Sequence, residues 1–542
     1  MIFKAISLVL LFSIVYPDVF DGLTLFSVYS DEPNESNHYT ILMDNDENII
    51  QFWSHNRGAA SMSYLLSDST LIYPYRQENP SMCNGGVGGG ISRYSWDGDL
   101  IWSYEFSSDV YQHHHDIQPI PNGNILILAW ERHTETQSFD TEFYGGEGYG
   151  WAELGRSEVN NPLNQMWSEA IFEIEMVNNN EVNIIWEWHL WDHLIQDVDS
   201  SLSNYGTVSD HPELMNINFG AVGDFDGMCG PQADWVHFNA VDYNPYLDQI
   251  VLSSRYNSEI YILDHSTTTE EAAGHSGGSS RKGGDFLYRW GNPEVYNQGN
   301  SNNRKLDGQH GINWINEGYP GSGNLIVYNN FHGDWQSLPL NDWESAVYEL
   351  VPPLNNDGVY DLSIDGTYGP TDPIWSYTGD FFSFIQSGVF RLPNGNTLIT
   401  VTNESRMFEI NDSNSVVWEH QLEDGEMIAR AQKYSMSHFT SLDSYENPFP
   451  RTFTLYENYP NPFNSTTAFN YSIAENILVN ISVHDISGRL VKSLFNGLQS
   501  PGDKKIRWDS TNNEGLPVSG GLYFYSIRSD KTILTKKMVF LK

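Results

Sequence analysis

The sequence predicts an all-β protein: a six-bladed β-propeller followed by a small immunoglobulin-like β-sandwich. Three observations carry this. Aromatic residues and glycine are abundant, with 31 Tyr, 17 Trp and 45 Gly, a mixture that suits strands and tight turns better than helical bundles. One hairpin recurs, as 117-IQPIPNGNILILAW, 240-AVDYNPYLDQIVLSSR, 312-INWINEGYPGSGNLIVYNN and 389-VFRLPNGNTLITVT. In two copies the turn is Asn-Gly, whose residues accept positive φ. A second strand–turn–strand unit, with Trp near its end, follows or precedes each hairpin, as in 91-ISRYSWDGDLIWSYEF, 171-IFEIEMVNNNEVNIIWEWH and 407-MFEINDSNSVVWEH. Hairpin plus hairpin makes a four-stranded sheet, and such sheets arranged around an axis bury each other's faces.

The blades are placed near 59–106, 113–189, 235–291, 308–378 and 386–422. The remaining strands, 39-YTILMDNDENIIQFW and 428-IARAQKYSMSHF, make a sixth blade from both chain ends, which removes the free edge of an open array. Five or seven blades also fit the spacing. The Gly-rich segments 84-NGGVGGG, 143-FYGGEGYG and 274-GHSGGSSRKGG read as flexible loop insertions.

The N-terminus has Lys4 and then an apolar run from Ala5 to Tyr16, the pattern of a signal peptide over 1–20 with cleavage between Asp18 and Gly22. The run is too short to span a bilayer comfortably, and no membrane span is expected in the mature chain. The propeller is assigned to 21–440, a polar Pro-containing linker to 441–454, and the sandwich to 455–542, with strands at 468-AFNYSIA, 477-ILVNISVHDI, 489-RLVKSLF, 504-KKIRWDS, 521-GLYFYSIRS and 532-TILTKKMVFLK. With 27 basic against 70 acidic residues the net charge is −43, so nucleic acid is excluded as a partner. The only cysteines, Cys83 and Cys229, can pair in an oxidising compartment but cannot build a cysteine-rich metal site.

Chemistry is expected where the innermost strands converge. His115, His237 and His310 each stand at the start of a repeated innermost strand. One such histidine is usually a structural hydrogen-bonder; three at one repeat position point to a shared centre. Of the tract 113-HHHD, His115 is the residue expected to face the axis, with His113 and His114 on the rim or in packing. A rival reading places a divalent metal on His115, Asp116, His237 and His310. Another, a quinone-dependent dehydrogenase, rests on the blade-terminal Trp residues, which are more simply read as core.

Two resemblances extend this. The stretch 455-LYENYPNPFNSTTAFNYSIAE, with 483-VHDISGRLVKSL, 521-GLYFYSIRS and 536-KKMVFLK, resembles the C-terminal sorting domain of the type IX secretion system of Bacteroidetes. It implies passage across both membranes to a secreted or cell-surface location and contact with that secretion machinery; the alternative is an ordinary carbohydrate-associated sandwich. Over roughly 50–435, the segments 234-DWVHFN, 250-IVLSSR, 309-QHGINWI and 324-NLIVYNN, with the HHD…PNGN run and 186-WEWHLWDHL, resemble the bacterial aryl-sulfate sulfotransferases.

The second resemblance implies sulfuryl transfer from an aryl sulfate to a phenol through a sulfated histidine, with no nucleotide donor and no cofactor. By family position His237 and His310 bind the sulfuryl group and act as acid and base, while Arg255 and Asn239 hold the anion. The chemistry fits these residue types. Charge spreads over the sulfuryl oxygens and needs cationic or hydrogen-bonding partners. A neutral imidazole is a good nucleophile, and one with a pKa of about 6.5 exchanges protons with phenols. The family's nucleophile position aligns with Arg406 in 397-TLITVTNESRMFEI, and arginine binds anions rather than attacking. His332 stands near the position of a family arginine. Either His332, His310 or His115 then takes the covalent role, or the centre binds sulfated ligands without turnover.

Overall fold

The computed structural model describes residues 19–542 except 30–37, 137–149, 178–179, 424, 439–453, 457, 459, 474–476, 500–501 and 530–532. The apolar run 5–16, the segment 143-FYGGEGYG apart from Gly150, and nearly all of the expected linker lie outside the described residues.

Six four-stranded antiparallel sheets form a propeller. In chain order, blade one contains Tyr64–Leu65, Leu71–Arg76, Gly89–Tyr94 and Leu100–Glu105; blade two contains Tyr111–Pro119, Ile125–Thr134, Gln165–Val177 and Glu181–His189. Blade three contains Phe238–Asn244, Gln249–Ser254, Glu259–Asp264 and Tyr288–Trp290; blade four contains His310–Trp314, Leu325–Asn329, Ala346–Leu350 and Trp375–Thr378. Blade five contains Gly388–Arg391, Thr397–Val401, Arg406–Ile410 and Val416–Gln421. In each of these blades the first strand is innermost.

Blade six joins both ends of the ring. Its innermost strand is Met427–Ser435, followed by Gly22–Tyr29, His38–Met43 and Ile49–His55. Leu25 pairs with Gln432 on one side and with Leu42 on the other. Gly22–Tyr29 is a buried strand along its whole length, an element the sequence reading did not foresee.

Second strands show why the expected alternation of apolar and polar residues is weak there. Ile125 to Trp130 are all buried, so both faces of the strand are covered by the neighbouring blades. The tryptophans Trp53, Trp130, Trp167, Trp188 and Trp235 are fully buried core residues. Parts of the Gly-rich segments are tightly packed. A Cβ on Gly88 would lie 2.5 Å from His113, and one on Gly284 would lie 2.0 Å from the Ala272 carbonyl.

The C-terminal module is a two-sheet sandwich. One sheet contains Thr454–Leu455, Thr467–Ile473 and Gly502–Trp508; the other has Leu490–Gln499, Ile477–Asp485, Gly521–Arg528 and Ile533–Phe540. Phe469, Ile481, Trp508, Tyr525 and Ile527 fill the space between them. Among the described residues no helix is long and apolar enough to cross a membrane.

Candidate active site

The innermost strands all run the same way along the axis, so their first residues meet at one mouth. There they line a cavity of about 710 Å³ whose wall includes His115, His237, His310, Gln386 and Met427. The histidines enter it through local irregularities of the chain. Pairing of the innermost strand with its neighbour slips between His113 and Ile117, between Phe238 and Ala240, and between His310 and Asn313. His115 and His237 have φ of 49° and 54°, and Gly311 beside His310 has φ of 64°. Such left-handed bulges re-aim a side chain and are uncommon for residues other than glycine. The His115 ring lies 4.6 Å from His237 and 6.5 Å from His310, centroid to centroid.

Each imidazole is held through Nδ1. His237 Nδ1 bonds the buried carboxylate of Asp234, which also accepts from Asn84 Nδ2 at 3.0 Å. The Tyr256 ring stacks on His237 at 4.7 Å. A carboxylate only accepts, so Nδ1 carries the proton and Nε2 the lone pair. His310 Nδ1 lies 2.8 Å from Asn330 Oδ1. The Asn330 amide nitrogen donates to the carbonyls of Ser383 and Gln386, which fixes Oδ1 as the acceptor and again leaves the lone pair on Nε2. Burial, and then the Arg255 charge, hold the His310 pKa well below the usual imidazole value, so the ring is neutral.

His115 is reached through a buried chain. Its Nδ1 lies 2.9 Å from His114 Nδ1, and His114 Nε2 lies 2.8 Å from Glu169 Oε2. Glu169 Oε1 accepts from the Phe238 amide at 2.8 Å, so one carboxyl braces two of the three histidine bulges. Burial, and then Asp234, push the Glu169 pKa well above the carboxylate range. Gly86 makes room for the His115 ring: a Cβ there would sit 2.0 Å from it.

Arg255 and Arg76 also line the cavity. Arg255 Nη1 donates to the Phe384 carbonyl at 3.0 Å, and the Arg76 guanidinium lies 4.6 Å over the Tyr29 ring. Two guanidiniums beside buried imidazoles favour an anion, despite the acidic chain around them.

Of the residues expected from sequence, His115, His237, His310 and Arg255 come together here. Three do not reach the cavity as expected. Arg406 begins the third strand of blade five, where Nε donates to Glu419 at 2.6 Å and the guanidinium covers Phe408; it is an ion-paired residue of the blade's outer half. His332 follows the second strand of blade four, and its Nδ1 is 2.7 Å from the Tyr348 hydroxyl. Asn239 lies in a small void beneath the imidazoles and donates to the Gln309 carbonyl at 2.7 Å. The metal reading loses its carboxylate, because Asp116 is buried against Arg430, Ser61 and the Val241 amide. Sequence reasoning missed Asp234, Asn330, Glu169, Tyr256 and Arg76. An Asp three residues before His237, within 234-DWVHFN, was the available signal for one of them.

Cys83 and Cys229 form a disulfide, with Cα atoms 5.8 Å apart. Asn84 to Gly86 and Met228, next to the two cysteines, line the cavity, so the bond ties two rim segments together.

Two family models match the chain. The arylsulfotransferase (ASST) family model matches residues 169–441, and an FlgD Ig-like domain model matches residues 463–532. The arylsulfate sulfotransferase AssT of Lelliottia amnigena is 24% identical over 192 residues; the match covers 33% of this chain and 30% of that protein. Among solved structures, a protein of unknown function from Bacteroides caccae aligns with 10% identity and a TM-score of 0.38, covering 76% of this chain and 98% of that one. The periplasmic gluconolactonase PpgL of Pseudomonas aeruginosa aligns with 11% identity and a TM-score of 0.34, covering 90% and 99%. The family model spans half of the chain and contains His237, His310 and Arg255, and the protein belongs to the arylsulfotransferase family.

Proposed function

We propose that the protein transfers a sulfuryl group from an aryl sulfate to a phenolic acceptor, without a nucleotide donor, at the three-histidine mouth. The observation that carries this reading is the Asp234–His237 pair: a buried carboxylate on Nδ1 presets Nε2 as the nucleophile and stabilises the positive charge that attack creates. His237 Nε2 attacks sulfur, the S–O bond to the donor breaks, and the phenolate leaves beside Arg255. In the second half-reaction the acceptor phenol gives its proton to the neutral Nε2 of His310 and its oxygen takes the sulfuryl group, returning His237 to its neutral form; His310 then passes that proton to solvent, from which the released phenolate is protonated. His115 and Arg76 complete the anion's surroundings. The second reading, a propeller that binds sulfated ligands without turnover, rested on Arg406, which does not line the cavity but pairs with Glu419.

The reading is tested with nitrophenyl sulfate and phenol. Nitrophenol release that depends on acceptor, with a sulfuryl adduct on the His237 peptide by mass spectrometry, is the expected result. Absence of acceptor-dependent release rules it out. The same proposal places the protein outside the cytoplasm, exported by its N-terminal segment and by type IX machinery acting on the C-terminal sandwich. The Cys83–Cys229 bond supports an oxidising destination.

A further inference from the structure

A second cluster lies away from the mouth, where the chain crosses from blade two to blade three. His193, in 186-WEWHLWDHL, is fully buried, with its ring parallel to Trp188 at 5.5 Å. Its Nε2 is 2.8 Å from the Ala272 carbonyl. A carbonyl only accepts, so Nε2 holds a proton. Nδ1 faces Asp285 Oδ1 at 2.8 Å, and the same oxygen is 2.7 Å from His275 Nδ1. A carboxylate oxygen also only accepts, so either Nδ1 carries a second proton or a metal ion stands between it and the carboxylate.

Three details favour the metal. The donor atoms of His193, His275 and Asp285 all lie within 4.8 Å of one another. An imidazole whose far nitrogen is pinned to a backbone carbonyl is the arrangement that orients a metal ligand. Close packing also fixes the buried imidazole, since a Cβ on Gly284 would meet His193 Nε2 at 2.6 Å. Ligand atoms at about 2.0–2.2 Å from a tetrahedral ion stand roughly 3.3–3.6 Å apart, so Asp285 must draw back from the two imidazoles by about 0.5–0.9 Å to admit an ion. His275, whose side chain is mostly exposed, can follow that movement. It also borders an open cavity of about 520 Å³, leaving space for a water as fourth ligand.

We infer that His193, His275 and Asp285 bind a divalent ion of the zinc class, which fastens the excursion between the third and fourth strands of blade three to the crossing from blade two. Two imidazoles and a carboxylate are the donor set such an ion selects. The site is separate from the sulfuryl chemistry and does not depend on it.

The test uses the full chain, stripped with EDTA and titrated with Co(II) and then with Zn(II). One equivalent per chain is expected, with the visible absorption of tetrahedral Co(II), displacement by Zn(II), and a zinc-dependent rise in Tm. His275→Ala, an exposed position that leaves the core intact, and Asp285→Asn should each lose the absorption and the Tm rise. Absence of stoichiometric Co(II) and Zn(II) uptake by the unmutated protein overturns the inference and leaves a shared proton as the explanation. Uptake that survives His275→Ala but fails in His237→Ala also overturns it, by placing the ion at the mouth.

Discussion

The two mouths of the propeller contain similar residue types and use them differently. At the first, His115, His237 and His310 are each tied at Nδ1, and two arginines stand beside them. The opposite mouth opens on a cavity of about 560 Å³ lined by Tyr64, Gln118, Asp242, Trp314 and Tyr434 among others. Between them the Asp116–Arg430 pair forms a septum, with Asp116 also accepting from Ser61 and the Val241 amide. At the far mouth the polar groups serve the frame: Asp242 accepts from the Trp314 amide at 2.7 Å, and burial pushes its pKa up to about 7. What marks a reactive site is the bonding capacity left over once the fold is satisfied, and the first mouth leaves such lone pairs on Nε2 of His237 and of His310.

Substitutions break the comparison in order of expected effect. His237→Ala should lower aryl sulfate turnover by about 10⁴-fold or more. His438→Ala, at the far mouth, should leave it unchanged. Equal losses in steady-state assays would refute the assignment of chemistry to one end. Asp234→Asn keeps the shape but no longer fixes the tautomer, and kcat should fall by about 10²–10⁴-fold with the fold intact by circular dichroism. Arg430→Met strands a buried carboxylate and should cost about 3–5 kcal/mol in denaturant unfolding, an effect on the septum and so on stability rather than on a selective rate. Arg255→Ala removes a charged hydrogen-bonding partner of the anion, and kcat/KM should drop by about ten- to a hundredfold, mostly through KM.

A separate effect is in pH, and its sign differs between the ends. Burial lowers the His113 pKa to about 3, with His114, His115 and His310 also well below the usual value. Their folded pKa values lie below the unfolded one, so the stability they carry is present above pH ~6.5 and is lost as pH falls, at roughly one kcal/mol per unit for each imidazole. Asp242 behaves oppositely. Its folded pKa is raised from 3.8 to about 7, so its contribution is complete below pH ~4 and is lost as pH rises towards 7. Thermal melts between pH 4 and 8 should show Asp242→Asn gaining on the unmutated protein as pH rises. A constant difference across that range would refute the assignment.

Much of this arrangement was legible in the sequence. The turns at Asn122–Gly123 and Asn394–Gly395 placed two blades, and the repeat position carried His115, His237 and His310 to one end. What escaped was local geometry. Arg406 and His332 lie close in sequence to innermost hairpins, but each sits where the chain has already turned towards the outer strands, and linear spacing does not report that turn. The bulges that aim the histidines depend on left-handed backbone at His115 and His237, residue types that do not announce it. Partners such as Asn330 and Glu169 act across blades, so no short motif contains them. The Gly-rich 84-NGGVGGG looked loose by composition, yet Gly86 and Gly88 are small because imidazoles press against them.

The closure of blade six gives the protein an order of events. Its innermost strand, Met427–Ser435, is the last of the ring to leave the ribosome, and its partner Gly22–Tyr29 is the first. Met427 and Tyr29 both border the histidine cavity. A chain whose two ends have not yet paired therefore carries every histidine of the centre but lacks the wall that Tyr29 and Met427 supply, and the cavity is complete only once the ring closes.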